Sequence, residues 1–324
     1  MIPDASHLDP EIVKRLNELE KKYKAMGQDL ASYLDGLLHA DYLTYWDYIN
    51  LDTLLSLQQP RTPFPDEMVF IIYHQITELY FKLILHEIHQ ITILTEPNDE
   101  NFMAKIRRMN RYFDQLSDSF DIMVDGMSRK QFMNFRMSLL PSSGFQSAQY
   151  RLIEIGCTDM INLVGVKYRE TLIHESDFQI LYDHIYWKEG ASELATGQKT
   201  LTLKQFEEKY SNKLLRRMAT HKDNNLNQLF LNNFSFSDIS EEIIQELREL
   251  DINANINWPL AHYRSAARHL QRNPEVIAAT GGTNWQKYLP PRFQKVIFFP
   301  GLWSSDELEN WGQNWVKELL QAQT

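Results

Sequence analysis

The sequence predicts an all-α fold, and three observations point to it. Glycine and proline are sparse, at 12 residues each, whereas Leu, Glu, Lys, Gln and Ile are plentiful, a balance that favours helix over sheet. Apolar residues make up 43% of the 324 residues, enough for a substantial core. They recur at helical spacing along most of the chain, and the longest alternating stretch, at residues 295–299, is short.

Two helices are predicted before a proline-rich break. Residues 10–26 place apolar side chains on one face and Glu or Lys on the other, which is typical of an amphipathic helix. Residues 33–58 also show helical periodicity and are apolar over more than one face, so we expect this span to be covered on several sides. Pro60, Pro63 and Pro65 then interrupt the pattern, because proline lacks an N–H and biases the preceding residue to extended geometry.

The remaining helices follow from the same spacing. Pro65 opens a long helix that ends near residue 94, and two acidic residues in its first turn complement the helix dipole. Further helices are predicted over residues 100–120, 128–137, 144–165, 206–218, 251–270 and 306–320. We interpret residues 167–226 as a peripheral helical insertion in a single domain that spans residues 1–324, with N-terminal helices in residues 1–60.

Composition limits the class of protein. The formal net charge of −10 disfavours binding to a nucleic-acid backbone. The N-terminus lacks the pattern of a signal peptide, and no stretch approaches the roughly 18 uncharged apolar residues that a membrane span needs. Cys157 is the only cysteine, so no intrachain disulfide is possible, and we expect it to pack as a small hydrophobic residue. We therefore expect a soluble, cytoplasmic protein without nucleic-acid or membrane partners.

Phe70 and His74 lie in a run that is otherwise fit for a buried core. They are four residues apart and share one face of their predicted helix. Burying an imidazole is costly unless something pairs with it. His74 is therefore either a core histidine that donates to a backbone carbonyl or a residue of a cofactor or ligand cavity.

Arg136 stands between an aromatic run and Leu-Leu-Pro. Arginine in such surroundings typically binds a carboxylate through two parallel hydrogen bonds, although a structural salt bridge is the alternative. Ser143 and Gly144 follow at the start of a predicted helix. Free N–H groups and hydroxyls there can hold an anionic group, and a plain helix cap is again the alternative.

His262 follows Trp-Pro-Leu-Ala and has Ala266 one turn further on. A neutral imidazole at this place can ligate haem iron axially, and the small neighbours leave room for a flat macrocycle. A core histidine is the alternative. Thr280 begins a Thr-Gly-Gly-Thr loop that is flexible enough to close over a ligand.

Taken together, these segments resemble the tryptophan 2,3-dioxygenase family. The resemblance covers the chain from about residue 43 to its end, and its specific motifs are Ser-Ser-Gly-Phe-Gln-Ser at residues 142–147 and the helix that carries His74 and Gln75. The matching segments run in family order, at residues 45–55, 66–82, 135–151, 258–262 and 280–289. Because the family consists of cytoplasmic all-helical haem enzymes, the resemblance implies a multi-helix haem-binding domain with one haem b per subunit.

The resemblance implies roles for the candidate residues. His262 is the expected proximal ligand of the iron, and His74 the distal residue that faces the indole nitrogen. Phe70 is expected to wall the substrate pocket, Arg136 to pair with the amino-acid carboxylate, and Thr280 to pair with the ammonium and carboxylate groups.

The resemblance also implies a shared pocket. Ser143 and Gly144 are expected near the haem and the oxygen. Tyr45, Tyr48 and Ile49 match residues that complete the pocket of a neighbouring subunit in the family. A homotetramer built as a dimer of dimers would follow.

The implied reaction is cleavage of the indole C2–C3 bond of L-tryptophan with insertion of both atoms of O₂. The product is N-formylkynurenine, at the first step of tryptophan degradation through kynurenine. Two alternatives are a related haem-dependent aromatic monooxygenase acting on an indole or tyrosine-like substrate, and a non-catalytic haem-binding protein. The chain departs from the family at Phe132, where many bacterial members carry tyrosine. It also has a longer stretch between His262 and Thr280, which makes His269 the nearest alternative ligand.

Overall fold

The prediction of an all-α fold is confirmed. The structure is a computed structural model that describes residues 8–41, 43–93, 99–139, 144–192, 198–233, 240–270 and 290–313. Within these ranges the chain forms helices, and its β pairing is limited to isolated bridges between Val164 and Ile185 and between Ser192 and Lys199. Two compact units are present, Met1–Gln58 and Gln59–Thr324. The single-domain organisation stays a prediction.

The described residues of the N-terminal unit form helices that bury no side chain. They are α1 (Pro10–Ala25), α2 (Leu30–Leu38), α3 (Tyr45–Tyr48) and α4 (Leu51–Leu55). Asp9 and Asp29 cap α1 and α2 by accepting hydrogen bonds from backbone N–H groups of the first turn. The helix predicted over residues 10–26 is confirmed.

The apolar span of residues 33–58 is divided into several helices, because the chain breaks within it. Helix α2 ends at Leu38, and Asn50 separates α3 from α4 with a φ of +52°. This left-handed conformation cannot continue a right-handed helix. The expected burial on several sides is also absent from this unit, because Leu37, Leu38 and Leu55 are all exposed.

The second unit begins with two long helices, as predicted. These are α5 (Asp66–Thr92) and α6 (Asp99–Ser119), which pack against each other. Glu67, buried in the first turn of α5, accepts hydrogen bonds from the N–H groups of Thr62 at 2.7 Å and Arg61 at 3.0 Å. This carboxylate ties the proline-rich break to the start of α5.

Helix α5 is long and apolar enough to cross a membrane by length and composition, which is a test that core helices of other proteins also pass. It exposes an apolar stripe at the helical spacing of one face, formed by Ile72, Ile76, Leu79 and Leu83. Its opposite face is buried against α6 and α9.

The rest of the second unit consists of shorter helices around the same core. They are α7 (Asp121–Val124), α8 (Arg129–Phe135), α9 (Ala148–Cys157), α10 (Met160–Leu163), α11 (Val166–Leu172), α12 (Phe178–Asp183), α13 (Tyr186–Gly190), α14 (Leu201–Thr220), α15 (Leu226–Asn233), α16 (Glu241–Ile252), α17 (Trp258–Leu270), α18 (Pro291–Gln294) and α19 (Ser305–Glu309). Short 3₁₀ helices cover Arg136–Leu139, Gly144–Gln146 and Pro300–Leu302. Cys157, at the end of α9, is fully buried, as predicted.

The helix predicted over residues 144–165 is interrupted twice. A 3₁₀ turn at Gly144–Gln146 precedes α9, and Thr158 adopts extended geometry after it. The Thr158 hydroxyl donates to the Phe298 carbonyl at 2.6 Å, which fixes the break to the C-terminal part of the unit. Helix periodicity alone does not show such a break, because residues on both sides keep an apolar pattern.

The helix predicted over residues 251–270 starts earlier, at Glu241, and contains a π-helix at Asn253–Asn257 between α16 and α17. Pro259 lies just after this segment. A proline inside a helix removes a hydrogen-bond donor and clashes with the preceding turn. This disturbance accounts for the change from α-helical to π-helical hydrogen bonding just before Pro259. The last predicted helix, over residues 306–320, is observed as the short α19, and residues 314–324 lie outside the described part.

Residues 167–226 contribute to the main core. Leu203, Phe206, Leu214 and Met218 of α14 belong to the same buried cluster as Ile84 and Ile88 of α5. The interpretation of this segment as a peripheral helical insertion stays a prediction. Residues 295–299 are not helical, and Phe298 and Phe299 donate their N–H groups to the buried Asp251 carboxylate.

Candidate functional site

Helix α5 places Phe70 and His74 on one face, where their ring centroids lie 4.0 Å apart. His74 Nδ1 is 2.7 Å from the Phe70 carbonyl oxygen. Because a carbonyl oxygen only accepts, Nδ1 carries the proton and Nε2 keeps a lone pair. The backbone hydrogen bond expected of a core histidine is therefore present, and Nε2 stays available to accept a proton donor.

His74 is exposed rather than sealed in the core. Burial lowers the pKa of its imidazole, and the Phe70 carbonyl and Glu78 oppose this effect. The ring nevertheless keeps solvent-accessible surface. The direction of this shift favours the neutral imidazole at pH 7, and the side chain stays accessible to a ligand.

His262 reaches the same region from α17. It is half-buried, and burial, with the nearby His74 as a smaller cause, lowers its pKa to about 4. Its ring stacks on Phe120 with centroids 5.8 Å apart, and no hydrogen bond joins its imidazole to the residues that the structure describes. A neutral imidazole with a free lone pair is the state that metal ligation requires.

Gly144 lies directly against His262. A Cβ built on Gly144 would be 2.9 Å from Cε1 and 3.7 Å from Nε2 of the imidazole. Without a side chain, Gly144 lets the His262 imidazole lie against its backbone. We call the region bordered by Phe70, His74, Gly144 and His262 the histidine recess. Within it, the imidazole of His262 fits a metal that one histidine ligates.

His269, the alternative ligand, does not open onto the recess. It is only 2% exposed, and its Nε2 lies 2.5 Å from the Met123 carbonyl oxygen. Its Nδ1 is buried as well, and the Phe132 ring lies 5.0 Å away. Neither nitrogen is accessible to a bound metal, so the geometry favours His262.

An aromatic wall connects the recess with Arg136. The ring of Phe70 lies 6.3 Å from Phe132 and 5.8 Å from Phe135, which directly precedes Arg136. Arg136 itself is 5% exposed, and loss of hydration lowers its pKa. The role of Arg136 as the partner of a substrate carboxylate stays a prediction.

The structure does not describe every predicted site residue. Ser143 and Thr280 lie outside the described ranges. Tyr45, Tyr48 and Ile49 belong to the N-terminal unit, where they are 71%, 75% and 37% exposed. Their predicted roles stay predictions.

Phe120 was not identified from the sequence, although its ring supports His262 and packs 5.0 Å from Trp258. It lies at the end of α6, far from His262 in the chain. No local pattern distinguishes it from an ordinary core phenylalanine.

Comparison with known proteins gives the same family throughout. The tryptophan 2,3-dioxygenase family model matches residues 35–280. A tryptophan 2,3-dioxygenase of Ruegeria sp. (strain TM1040) is 43% identical over 116 residues, which cover 36% of this chain and 41% of the relative. One of Bacillus cereus (strain ATCC 10987 / NRS 248) is 38% identical over 121 residues, or 36% of this chain and 43% of the relative.

Each pairwise alignment thus spans about two-fifths of the relative's length. The family match is far longer, and it contains Phe70, His74, Arg136, Gly144 and His262. The chain therefore belongs to the tryptophan 2,3-dioxygenase family.

Proposed function

We propose that this chain is a haem-dependent dioxygenase that cleaves the indole C2–C3 bond of L-tryptophan with O₂ to give N-formylkynurenine. The observation that carries the proposal is the pair of neutral histidines in the recess. His74 keeps Nε2 free to accept a hydrogen bond, and His262 has no hydrogen-bond partner among the described residues. Family membership supplies the reaction class.

His262 would hold haem b, one per subunit, through an imidazole nitrogen. It is suited to this role because its pKa of about 4 keeps it neutral at physiological pH, so ligation displaces no proton. Gly144, which has no side chain, leaves the space that the His262 imidazole occupies. Once bound, ferrous haem supplies the binding of O₂ and the redox chemistry of ring opening.

The chain's own contribution is to bind and orient the substrate. Arg136 would form two hydrogen bonds to the carboxylate of L-tryptophan, and His74 Nε2 would accept the indole N–H. The Phe70 ring would pack against the indole. Such orientation can accelerate a reaction greatly, because the reacting groups are already held in the geometry that the reaction needs.

In the product, the bond between C2 and C3 is broken and each carbon carries one oxygen, so both atoms of O₂ are retained. Ser143 and Gly144 are proposed to lie near the oxygen. Thr280 is proposed to bind the ammonium and carboxylate groups of the substrate.

The active assembly is proposed to be a homotetramer built as a dimer of dimers. Two observations support the need for a partner copy. The helices α1–α4 bury no side chain, although Tyr45, Tyr48 and Ile49 are apolar or aromatic. Helix α5 also exposes its apolar stripe. Covering both surfaces with other copies would remove apolar area from water.

The test is the mass of the product formed by reduced, haem-loaded protein from L-tryptophan and ¹⁸O₂. We expect a ring-opened product with two labelled oxygens, and none from His262→Ala. One labelled oxygen would instead establish the monooxygenase alternative, for which the apolar Phe132 in the pocket wall is the motivating observation. Haem uptake without any product from L-tryptophan would contradict the proposed activity.

A further inference from the structure

One backbone carbonyl just before α17 lacks a backbone hydrogen-bond donor. The Trp258 N–H donates to the Asn253 carbonyl, five residues earlier, which is the π-helical pattern. In the same pattern the next residue would donate to the carbonyl of Ala254. That residue is Pro259, which has no N–H. The Ala254 carbonyl therefore lacks its backbone donor in a fully buried position.

Tyr150 of α9 supplies a donor to this carbonyl. Its hydroxyl lies 2.8 Å from the Ala254 oxygen, and both residues are buried. Burial raises the pKa of Tyr150 well above its usual value, with Glu154 as a smaller cause, so the hydroxyl keeps its proton. A buried carbonyl without a partner is costly, so this hydrogen bond stabilises the π-helical register over its alternatives.

Tyr150 also links the two sides of the histidine recess. Along its own chain it is connected to Gly144 through the 3₁₀ turn and the Ser147 cap, whose hydroxyl accepts from the Tyr150 N–H at 3.3 Å. Its hydroxyl also binds Ala254 in the π-helix, which directly precedes α17 and His262. Gly144 and His262 are in contact, so the hydrogen bond closes a loop of contacts around the recess.

We propose that Tyr150 is a positioning residue for His262: its hydroxyl supplies the hydrogen bond that Pro259 cannot. This hydrogen bond fixes the backbone conformation where the π-helix passes into α17, and so it fixes the direction in which the imidazole points. As far as haem is concerned, the inference rests on the proposed function, because it takes His262 as the axial ligand.

The test compares Tyr150→Phe with Tyr182→Phe. The control removes a buried hydroxyl of α12, which pairs with Ser211 Oγ of α14 at 3.1 Å. A third protein combines Tyr150→Phe with Pro259→Ala and so restores a backbone N–H beside Ala254. Two quantities are measured: amide hydrogen exchange of residues 254–262 in haem-free protein, and the iron–histidine stretching band of the ferrous haem-loaded protein.

We expect Tyr150→Phe to raise exchange in residues 254–262 about ten-fold, the effect of losing one buried hydrogen bond, and to shift or broaden the stretching band. The control should match the wild type in both. The double variant should recover protection and the wild-type band, a rescue that a general loss of packing would not give.

Two results would overturn the positioning role. One is a Tyr150→Phe protein with wild-type exchange and band, and the other is a double variant no closer to wild type than Tyr150→Phe alone. If wild-type protein takes up no haem, the proposed function fails, and if His262→Ala keeps the histidine band, the assignment of His262 as the ligand fails. The exchange comparison still decides the role of Tyr150 in that case.

Discussion

Substitution of Gly144 by alanine tests the histidine recess directly. The added methyl would lie 2.9 Å from His262 Cε1, whereas carbon atoms pack best at about 3.5–4.0 Å. Relieving this contact requires the imidazole to move by about 0.5–1 Å. Functional groups tolerate about 0.5 Å of displacement, so we expect haem affinity to fall by about 10–100-fold, or about 1.4–2.8 kcal/mol.

The substitution should leave overall stability almost unchanged, because Gly144 is exposed and is not among the glycines with positive φ. Gly301→Ala is the matched control, since Gly301 also lies in a short 3₁₀ helix and an added Cβ there meets nothing within 4 Å. Haem titration followed by absorbance measures both affinities, and chemical denaturation measures both stabilities. Equal haem affinities for Gly144→Ala and Gly301→Ala would refute the assignment of the recess.

Four further outcomes are expected. His262→Ala should lose haem, and a normal haem content measured by pyridine haemochrome would instead point to another ligand. Arg136→Ala should raise the KM for L-tryptophan about 10–100-fold through loss of a charged hydrogen-bonded pair, whereas exposed Lys130→Ala on α8 should not; steady-state kinetics distinguishes them. Asp251→Asn should lower the free energy of unfolding by about 2–4 kcal/mol, because the carboxylate accepts from Phe298, Phe299, Trp303 and Asn255 and an amide NH₂ cannot. Since the pKa of His262 is lowered to about 4, its neutral form stabilises haem-free protein above pH 6.5, and this contribution of about 2–3 kcal/mol is lost as pH falls towards 4. Denaturation at pH 7 and pH 4.5 should therefore show that the free energy of unfolding of His262→Gln depends less on pH than that of the wild type. An equal dependence in the two proteins would contradict this prediction.

The parts of the fold that were predicted correctly depend on local spacing. Helix α5 and the shared face of Phe70 and His74 follow from residues four positions apart, so sequence alone places them. The contact between Gly144 and His262 joins distant parts of the chain, and no periodic pattern encodes it. The family resemblance, rather than composition or spacing, suggested that these residues act together.

Two errors have different physical origins. The π-helix had a visible signal in Pro259, but its apolar neighbours keep the helical period, so the pattern showed no break. The cover expected over residues 33–58 is not found within the N-terminal unit, because apolar character indicates that a surface needs cover and not which chain supplies it. The left-handed Asn50 is a further break, and asparagine tolerates that conformation more readily than most residues.

The single cysteine, Cys157, can report local unfolding of the core around it. Cys157 has no accessible surface, and burial raises the pKa of its thiol far above the usual value. Thiol reagents attack the thiolate, so they can modify this residue only in molecules whose core has opened. The rate of modification therefore reports the free energy of opening around the end of α9 without any introduced label. Applied to each variant above, it would separate a change confined to the recess from a general loss of structure.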